Sequence, residues 1–410
     1  MNLPKGSAIA ESLSRRGSVA SFIAMDMMRR ANQRAQQGLP VFHLEVGQPS
    51  TAAPACVLQA AQQALAGDKL GYTDALGLDG LRADLADFYR RIYGLEIDPA
   101  RFVVTTGSSA GFVLAFLATL DAGQKVALAA PGYPAYANII KALDLQPVWI
   151  ETGPETDWQI TASAVQQAAA QHNGIDALLL ASPANPTGTM ITKENFAALA
   201  TLCASEDWWL ISDEIYHGLT ESRQADCALG FAHNEKTIII NSFSKYFSMT
   251  GWRIGWMIIP DAMIRTVERL QQNLFISAPT LSQHAARAAL STAAEGELLA
   301  HLERYRGNRE VLLAGLNSAG LTGTAPPDGA FYLYTDLRRL TGNGDAQMDS
   351  SVFCRQLLDE SGVTVTPGVD FDTRRGHHFV RLSYAGKRAE IEQATDHLTA
   401  FIAAKHQRKS

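Results

Sequence analysis

Residues 242–256 read Ser242-Phe243-Ser244-Lys245-Tyr246-Phe247-Ser248-Met249-Thr250-Gly251-Trp252-Arg253-Ile254-Gly255-Trp256. One lysine stands there among small hydroxyl residues and apolar neighbours, with one arginine downstream. A lysine amine that condenses with an aldehyde must be partly desolvated beside other positive charge, so that neutral amine is accessible near neutral pH. Arg253 supplies such a charge and has the planar fork that grips a phosphate. Lys245 by itself would read as a solvated lysine at a strand end. The whole string reads as a Schiff-base lysine with its phosphate ligand.

Further short motifs lie on either side. They are Leu44-Glu45-Val46-Gly47-Gln48-Pro49, Gly71-Tyr72-Thr73 with Gly77 and Gly80-Leu81-Arg82, Thr105-Thr106-Gly107-Ser108-Ser109, Pro131-Gly132-Tyr133-Pro134, Ser182-Pro183-Ala184-Asn185-Pro186-Thr187-Gly188, Ser212-Asp213-Glu214-Ile215-Tyr216, Pro327-Asp328-Gly329-Ala330-Phe331-Tyr332 and Val380-Arg381-Leu382-Ser383. Each is weak alone. Their order over residues 44–383 resembles the class I/II aminotransferases, a group of the fold type I pyridoxal-phosphate enzymes.

Several of these residues also carry a reading of their own. Asp213 ends an apolar run, Trp208-Trp209-Leu210-Ile211, where an unpaired carboxylate is costly and calls for a cationic partner. Gly107-Ser108-Ser109 follows a strand and opens a helix, which makes either a phosphate cradle or a plain helix cap. Arg381 lies in the alternating segment 379–384 and needs an anion if it points inward.

The resemblance implies a role for each position. Lys245 carries the Schiff base, Asp213 pairs with the pyridine nitrogen, and Asn185 and Tyr216 bond the ring's phenolic oxygen. Tyr133 stacks on the ring. Gly107, Ser108, Ser109, Ser242 and Arg253 hold the phosphate, and Tyr72 reaches the phosphate of the neighbouring subunit. Arg381, Gly47 and Asn185 take the substrate's α-carboxylate. It thus implies pyridoxal 5'-phosphate as cofactor, no metal, and ping-pong transfer of an amino group from an L-amino acid to a 2-oxo acid. A homodimer with shared active sites is implied as well. Residues 107–121 contain no lysine or arginine, which favours a neutral or aromatic donor over a dicarboxylic one. The alternative is a fold type I lyase such as a carbon–sulfur lyase, which shares Lys245, Asp213 and Arg381.

Composition agrees with this class. The 410 residues are 47% hydrophobic and 19% charged, with a formal net charge of −6, enough chain for two domains and no basic footprint for nucleic acid. The start Met1-Asn2-Leu3-Pro4-Lys5-Gly6 lacks the apolar segment of a secretory signal, and the most apolar run, 111–120, is too short to span a bilayer. A cytoplasmic protein without membrane or nucleic-acid partners is expected. The cysteines, Cys56, Cys203, Cys227 and Cys354, are widely spaced and read as free thiols.

Apolar β-branched runs alternate with helical patterns, which predicts an α/β fold. Strands are expected at 102–105, 126–129, 147–151, 177–181, 208–212, 237–241 and 254–259, and helices at 162–171, 193–205 and 262–274. These make a large domain, 49–289, with a mostly parallel seven-stranded sheet between helices. The family resemblance places 1–48 and 290–410 together as a smaller α+β domain, with an amphipathic pattern over 12–39.

Overall fold

The central strands are apolar at consecutive positions because both of their faces are covered. In Ala177–Ala181, Leu178 and Leu180 enter one buried cluster and Ala177 and Leu179 the other. In Thr237–Ser242, Ile239 faces the first cluster and Ile238 and Ile240 the second. A strand wet on one face would alternate apolar with polar residues; these have no wet face. Truncating a fully enclosed residue such as Leu179 to alanine is expected to cost about 2–5 kcal/mol, the range for large-to-small changes in a packed core.

The computed structural model describes residues 13–67, 70–231, 235–340 and 349–407. The opening stretch 1–6 and the first residue of the amphipathic pattern lie outside them. In chain order the strands are β1 (Phe42–His43), β2 (Phe102–Thr105), β3 (Lys125–Ala130), β4 (Gln146–Glu151), β5 (Ala177–Ala181), β6 (Trp209–Asp213), β7 (Thr237–Ser242), β8 (Gly255–Ile258), β9 (Tyr332–Asp336), β10 (Val363–Thr364), β11 (Thr366–Pro367) and β12 (Phe379–Ser383). Seven of them form one sheet in the order β2-β8-β7-β6-β5-β3-β4. Only β8 runs against its neighbours, β2 and β7; the other pairs are parallel. The expected mostly parallel seven-stranded α/β sheet is therefore present.

Two boundaries differ from expectation. β6 runs through Asp213, whose backbone pairs with Ala181 and Ile240, so the carboxylate sits on the last rung of the sheet. The helix expected over 262–274 begins as a 3-10 turn, Asp261–Met263, and is α-helical only over Ile264–Leu274.

The chain ends meet in a second body of structure. β1 pairs in parallel with β10, and β11, β12 and β9 make a three-stranded antiparallel sheet. Met27 and Ala31 of the helix Ile23–Gln36 share a core with Leu312 and Leu316 of Thr292–Ser318, Leu357 of Ser350–Ser361 and Leu398 of Arg388–Gln407. Among the described residues no helix is long and apolar enough to cross a membrane, and no group of His, Cys, Asp and Glu could hold a metal ion. Cys56, Cys203, Cys227 and Cys354 are free.

Candidate active site

The carboxyl ends of β2, β3, β5, β6 and β7 point the same way, and the predicted residues follow them: Gly107, Tyr133, Asn185, Asp213 and Lys245. An open α/β sheet presents its ligand site at this edge. Between it and the sheet β11-β12-β9 lies a cavity of about 480 Å³, lined in part by Gly47, Asp213, Tyr216, Lys245, Arg253 and Arg381.

The loop carrying Lys245 is held from below. Phe243 is fully buried, Ser242 N donates to Asn241 Oδ1 at 2.7 Å, and Ser244 N donates to Ser242 Oγ at 3.1 Å. Ser242 therefore supports the loop, and Ser244 is the serine that lines the cavity. Lys245 Nζ donates to the Gly47 carbonyl at 2.5 Å and lies 5.8 Å from the ring centroids of Tyr216 and Phe331. Burial first, then the positive charges of Arg381 and Arg253, lower its pKa to about 8 against the opposing pull of Asp213. The amine is thus brought near neutrality by desolvation and like charge.

Asp213 is 4% exposed. Its Oδ1 accepts from Ile215 N at 3.0 Å, and its Oδ2 accepts from the hydroxyl of Tyr136. Burial pushes its pKa up to about 6, while those two hydrogen bonds and Lys245 pull it down. A carboxylate in this setting gains from a cation placed on its open side.

Arg381 is the most constrained charge of the site. It is 4% exposed, and its guanidinium carbon lies 4.4 Å from the Tyr332 ring and 4.8 Å from the Phe371 ring. Nη1 donates to Asn185 Oδ1 at 2.9 Å, Nη2 to the Glu45 carbonyl at 2.5 Å and to Thr366 Oγ1 at 3.3 Å, and Nε has no partner. No carboxylate among the described residues forms an ion pair with it. A buried cation held only by neutral oxygens is a site for an incoming anion. Gly47 closes on the same ring: a Cβ there would stand 1.8 Å from Tyr332 Oη, so only glycine lets this backbone approach. Tyr332 Oη in turn lies 2.8 Å from Tyr216 Oη.

The helix Gly107–Thr119 starts without a side-chain cap, so its first amides are left for a ligand. Ser108, Ser109 and Arg253 line the cavity there. Gly107 has φ +71°, and a Cβ on it would stand 2.5 Å from Arg253 Nη2, so the glycine admits both the turn and the arginine. An uncapped helix start beside an arginine suits a phosphate. The cavity as a whole thus offers a phosphate cradle, a buried carboxylate, an amine of lowered pKa and an anion-binding arginine, a donor set that fits pyridoxal phosphate together with an amino-acid carboxylate.

The family model for aminotransferase class I and II matches residues 40–398. The chain belongs to this family. It is 43% identical over 387 residues to a valine–pyruvate aminotransferase of Mycobacterium tuberculosis, covering 94% of this chain and 97% of that protein. It is 33% identical to the aspartate/prephenate aminotransferase of Thermus thermophilus, covering 91% and 94%. The crystal structure of an aminotransferase from Mycobacterium tuberculosis superposes with a TM-score of 0.90 at 43% identity, covering 96% of this chain and 99% of that one. The protein is an aminotransferase of the pyridoxal-phosphate-dependent class I and II family, and a lyase is not favoured.

One predicted residue stands apart from this aminotransferase cavity. Tyr72 is 83% exposed and does not line it. Its segment is tied to the helix Thr280–Ala289 through Thr280 Oγ1, which donates to Gly71 O at 2.5 Å. Other residues of the site had no assigned role in the sequence. Tyr136 lies one helical turn beyond Tyr133, a spacing that places both on one face and could have been noticed. Tyr332 was part of a recognised motif. Phe22, Ala24 and Met25 also line the cavity, and nothing local in the sequence directs them there.

Proposed function

We propose that the protein transfers an amino group from an L-amino acid with a neutral or aromatic side chain to a 2-oxo acid, by a ping-pong mechanism. The observation that carries the reading is Arg381, a buried guanidinium with no carboxylate partner among the described residues, sharing one cavity with Lys245. The relative named as a valine–pyruvate aminotransferase supports a neutral donor.

Pyridoxal phosphate, when bound, supplies an aldehyde that takes up the amino group and a ring that withdraws electrons from the substrate's α-carbon. Ser108, Ser109 and the amides after Gly107 hold the phosphate with Arg253, and Ser242 steadies Ser244 in the same wall. Asp213 keeps a proton on the pyridine nitrogen; Tyr136 holds Asp213 in place. Tyr216 and Asn185 face the phenolic oxygen, and Tyr133 covers the ring. Arg381 takes the α-carboxylate beside Gly47 and Asn185. Lys245 removes the α-proton and returns it at the neighbouring carbon as general base and acid. Its lowered pKa keeps neutral amine available near neutral pH.

The active unit is a homodimer in which the exposed Tyr72 reaches the partner's phosphate. The chain divides into a large domain, 49–289, and a small one, 1–48 with 290–410, and works in the cytoplasm. Borohydride reduction of the cofactor-loaded protein followed by peptide mass analysis is expected to place the label on Lys245. A label on any other lysine overturns the assignment.

A further inference from the structure

Both carboxylate oxygens of Asp370 are taken by the first amides of the helix Ile23–Gln36: Ile23 N at 3.0 Å and Ala24 N at 3.1 Å. That cap fixes the start of the helix against the cavity, where Phe22, Ala24 and Met25 join Ile139 and Phe371 in an apolar wall. The Phe22 ring lies 5.8 Å from the Tyr133 ring, and the Phe371 ring 4.8 Å from the guanidinium carbon of Arg381. The wall therefore runs from Tyr133 to Arg381. A substrate whose carboxylate is at Arg381 and whose amino group is near Lys245 turns its side chain towards it.

The charges of this wall decide what it accepts. The basic residues lining the cavity are Lys245, Arg253 and Arg381, each already assigned to the amine, the phosphate or the α-carboxylate. What remains charged is Asp370 and Glu45, both acidic. Gly71-Tyr72-Thr73, the segment assigned to the partner's site, brings no cation either. A second carboxylate on the substrate would be stripped of water with no cation to meet it and with a carboxylate nearby, whereas an aliphatic side chain gains by burial.

We infer that the wall built by Phe22, Met25, Phe371 and the Asp370 cap restricts both half-reactions to monocarboxylates: an apolar aliphatic amino acid as donor and a short monocarboxylic 2-oxo acid such as pyruvate as acceptor. The inference rests on the roles proposed above for Arg381 and Lys245. Because one pocket serves both halves, 2-oxoglutarate is a poor acceptor for the same reason that glutamate is a poor donor.

The test uses the cofactor-loaded protein and follows the change from the aldehyde to the amine form of the cofactor in single turnovers. L-valine and L-alanine are expected to exceed L-aspartate and L-glutamate in kcat/KM by about a hundredfold or more, the scale set by an uncompensated charge. Pyruvate is expected to restore the aldehyde form, and 2-oxoglutarate to do so far more slowly. Met25 is 50% exposed on the helix, so Met25→Arg adds a cation to the wall without disturbing a core. It is expected to raise the glutamate-to-valine ratio by about tenfold or more, since about 1.4 kcal/mol is a factor of ten. Glutamate matching valine in the wild type, or an unchanged ratio in Met25→Arg, overturns the substrate class while the transamination reading stands. Failure of every amino acid to produce the amine form overturns both.

Discussion

Lys245 and Gly47 touch: the lysine amine donates to the glycine carbonyl at 2.5 Å, across a sequence separation of 198 residues. The contact holds the amine at the junction of the large sheet and the chain's N-terminal segment. It also leaves the nitrogen's protonation to its neighbours, because a neutral carbonyl accepts from either form.

The first prediction concerns that protonation. Lys245 has its pKa lowered to about 8, chiefly by burial and then by Arg381. Capture of pyridoxal phosphate by cofactor-free protein requires the neutral amine, so its rate is expected to climb with pH and level off above about pH 8. Arg381→Ala removes a charge that lowers this pKa, and the inflection is expected to move to higher pH. A flat profile in the wild type, or a shift to lower pH in the variant, contradicts the account.

The second prediction separates Asp213 from its support. Asp213→Asn is expected to slow α-proton removal by several orders of magnitude with a smaller effect on cofactor occupancy, each factor of ten being about 1.4 kcal/mol. Tyr136→Phe deletes a hydrogen bond that lowers the Asp213 pKa, so that pKa rises further above about 6. The acidic limb of the kcat/KM profile is then expected to move up by about one pH unit, since one hydrogen bond to a charged group is worth about 1.5–3 kcal/mol at most. An acidic limb that stays in place or moves down rules out this role for Tyr136.

The third prediction concerns close approach. A Cβ at Gly47 would stand 1.8 Å from Tyr332 Oη, and Tyr332 both flanks Arg381 and bonds Tyr216. Gly47→Ala is expected to raise KM for the amino acid by about tenfold or more, while overpacking costs about 1–3 kcal/mol of stability. Thermal unfolding and steady-state kinetics on one preparation measure both. Unchanged KM would show that Tyr332 can shift without consequence for substrate.

How much of this was legible in the sequence depends on the range of each interaction. β5 and β7 were readable because Leu178-Leu179-Leu180 and Ile238-Ile239-Ile240 state double burial within a few residues. Asp213 and Lys245 were readable because each ends or follows such a strand. Arg381 was readable as an inward arginine, but its holders, the Glu45 carbonyl and Thr366, were not, since the sheet β11-β12-β9 brings them together only in the fold. Tyr136 meets Asp213 across 77 residues. The wall at Phe22 and Met25 depends on a cap between Asp370 and a helix more than 340 positions earlier, and no local pattern encodes such a contact. The split of 262–274 was missed because Pro260 favours a tight turn that periodicity alone does not register.

The last prediction tests where Tyr72 acts. In one chain it is 83% exposed and outside the cavity, whereas Arg381 is 4% exposed and inside it, so the two are proposed to serve different sites of a dimer. Tyr72→Ala and Arg381→Ala are each expected to be strongly impaired alone. When the two variants exchange subunits, a heterodimer has one site carrying both defects and one carrying neither. Up to about half of the wild-type activity per heterodimer should therefore return, by the two-fold symmetry of sites built from both chains. Activity of the mixture, measured against the heterodimer fraction from native mass spectrometry, decides it. No recovery despite verified exchange means that Tyr72 acts within its own chain, and the shared site is then wrong even though Lys245, Asp213 and Arg381 keep their places.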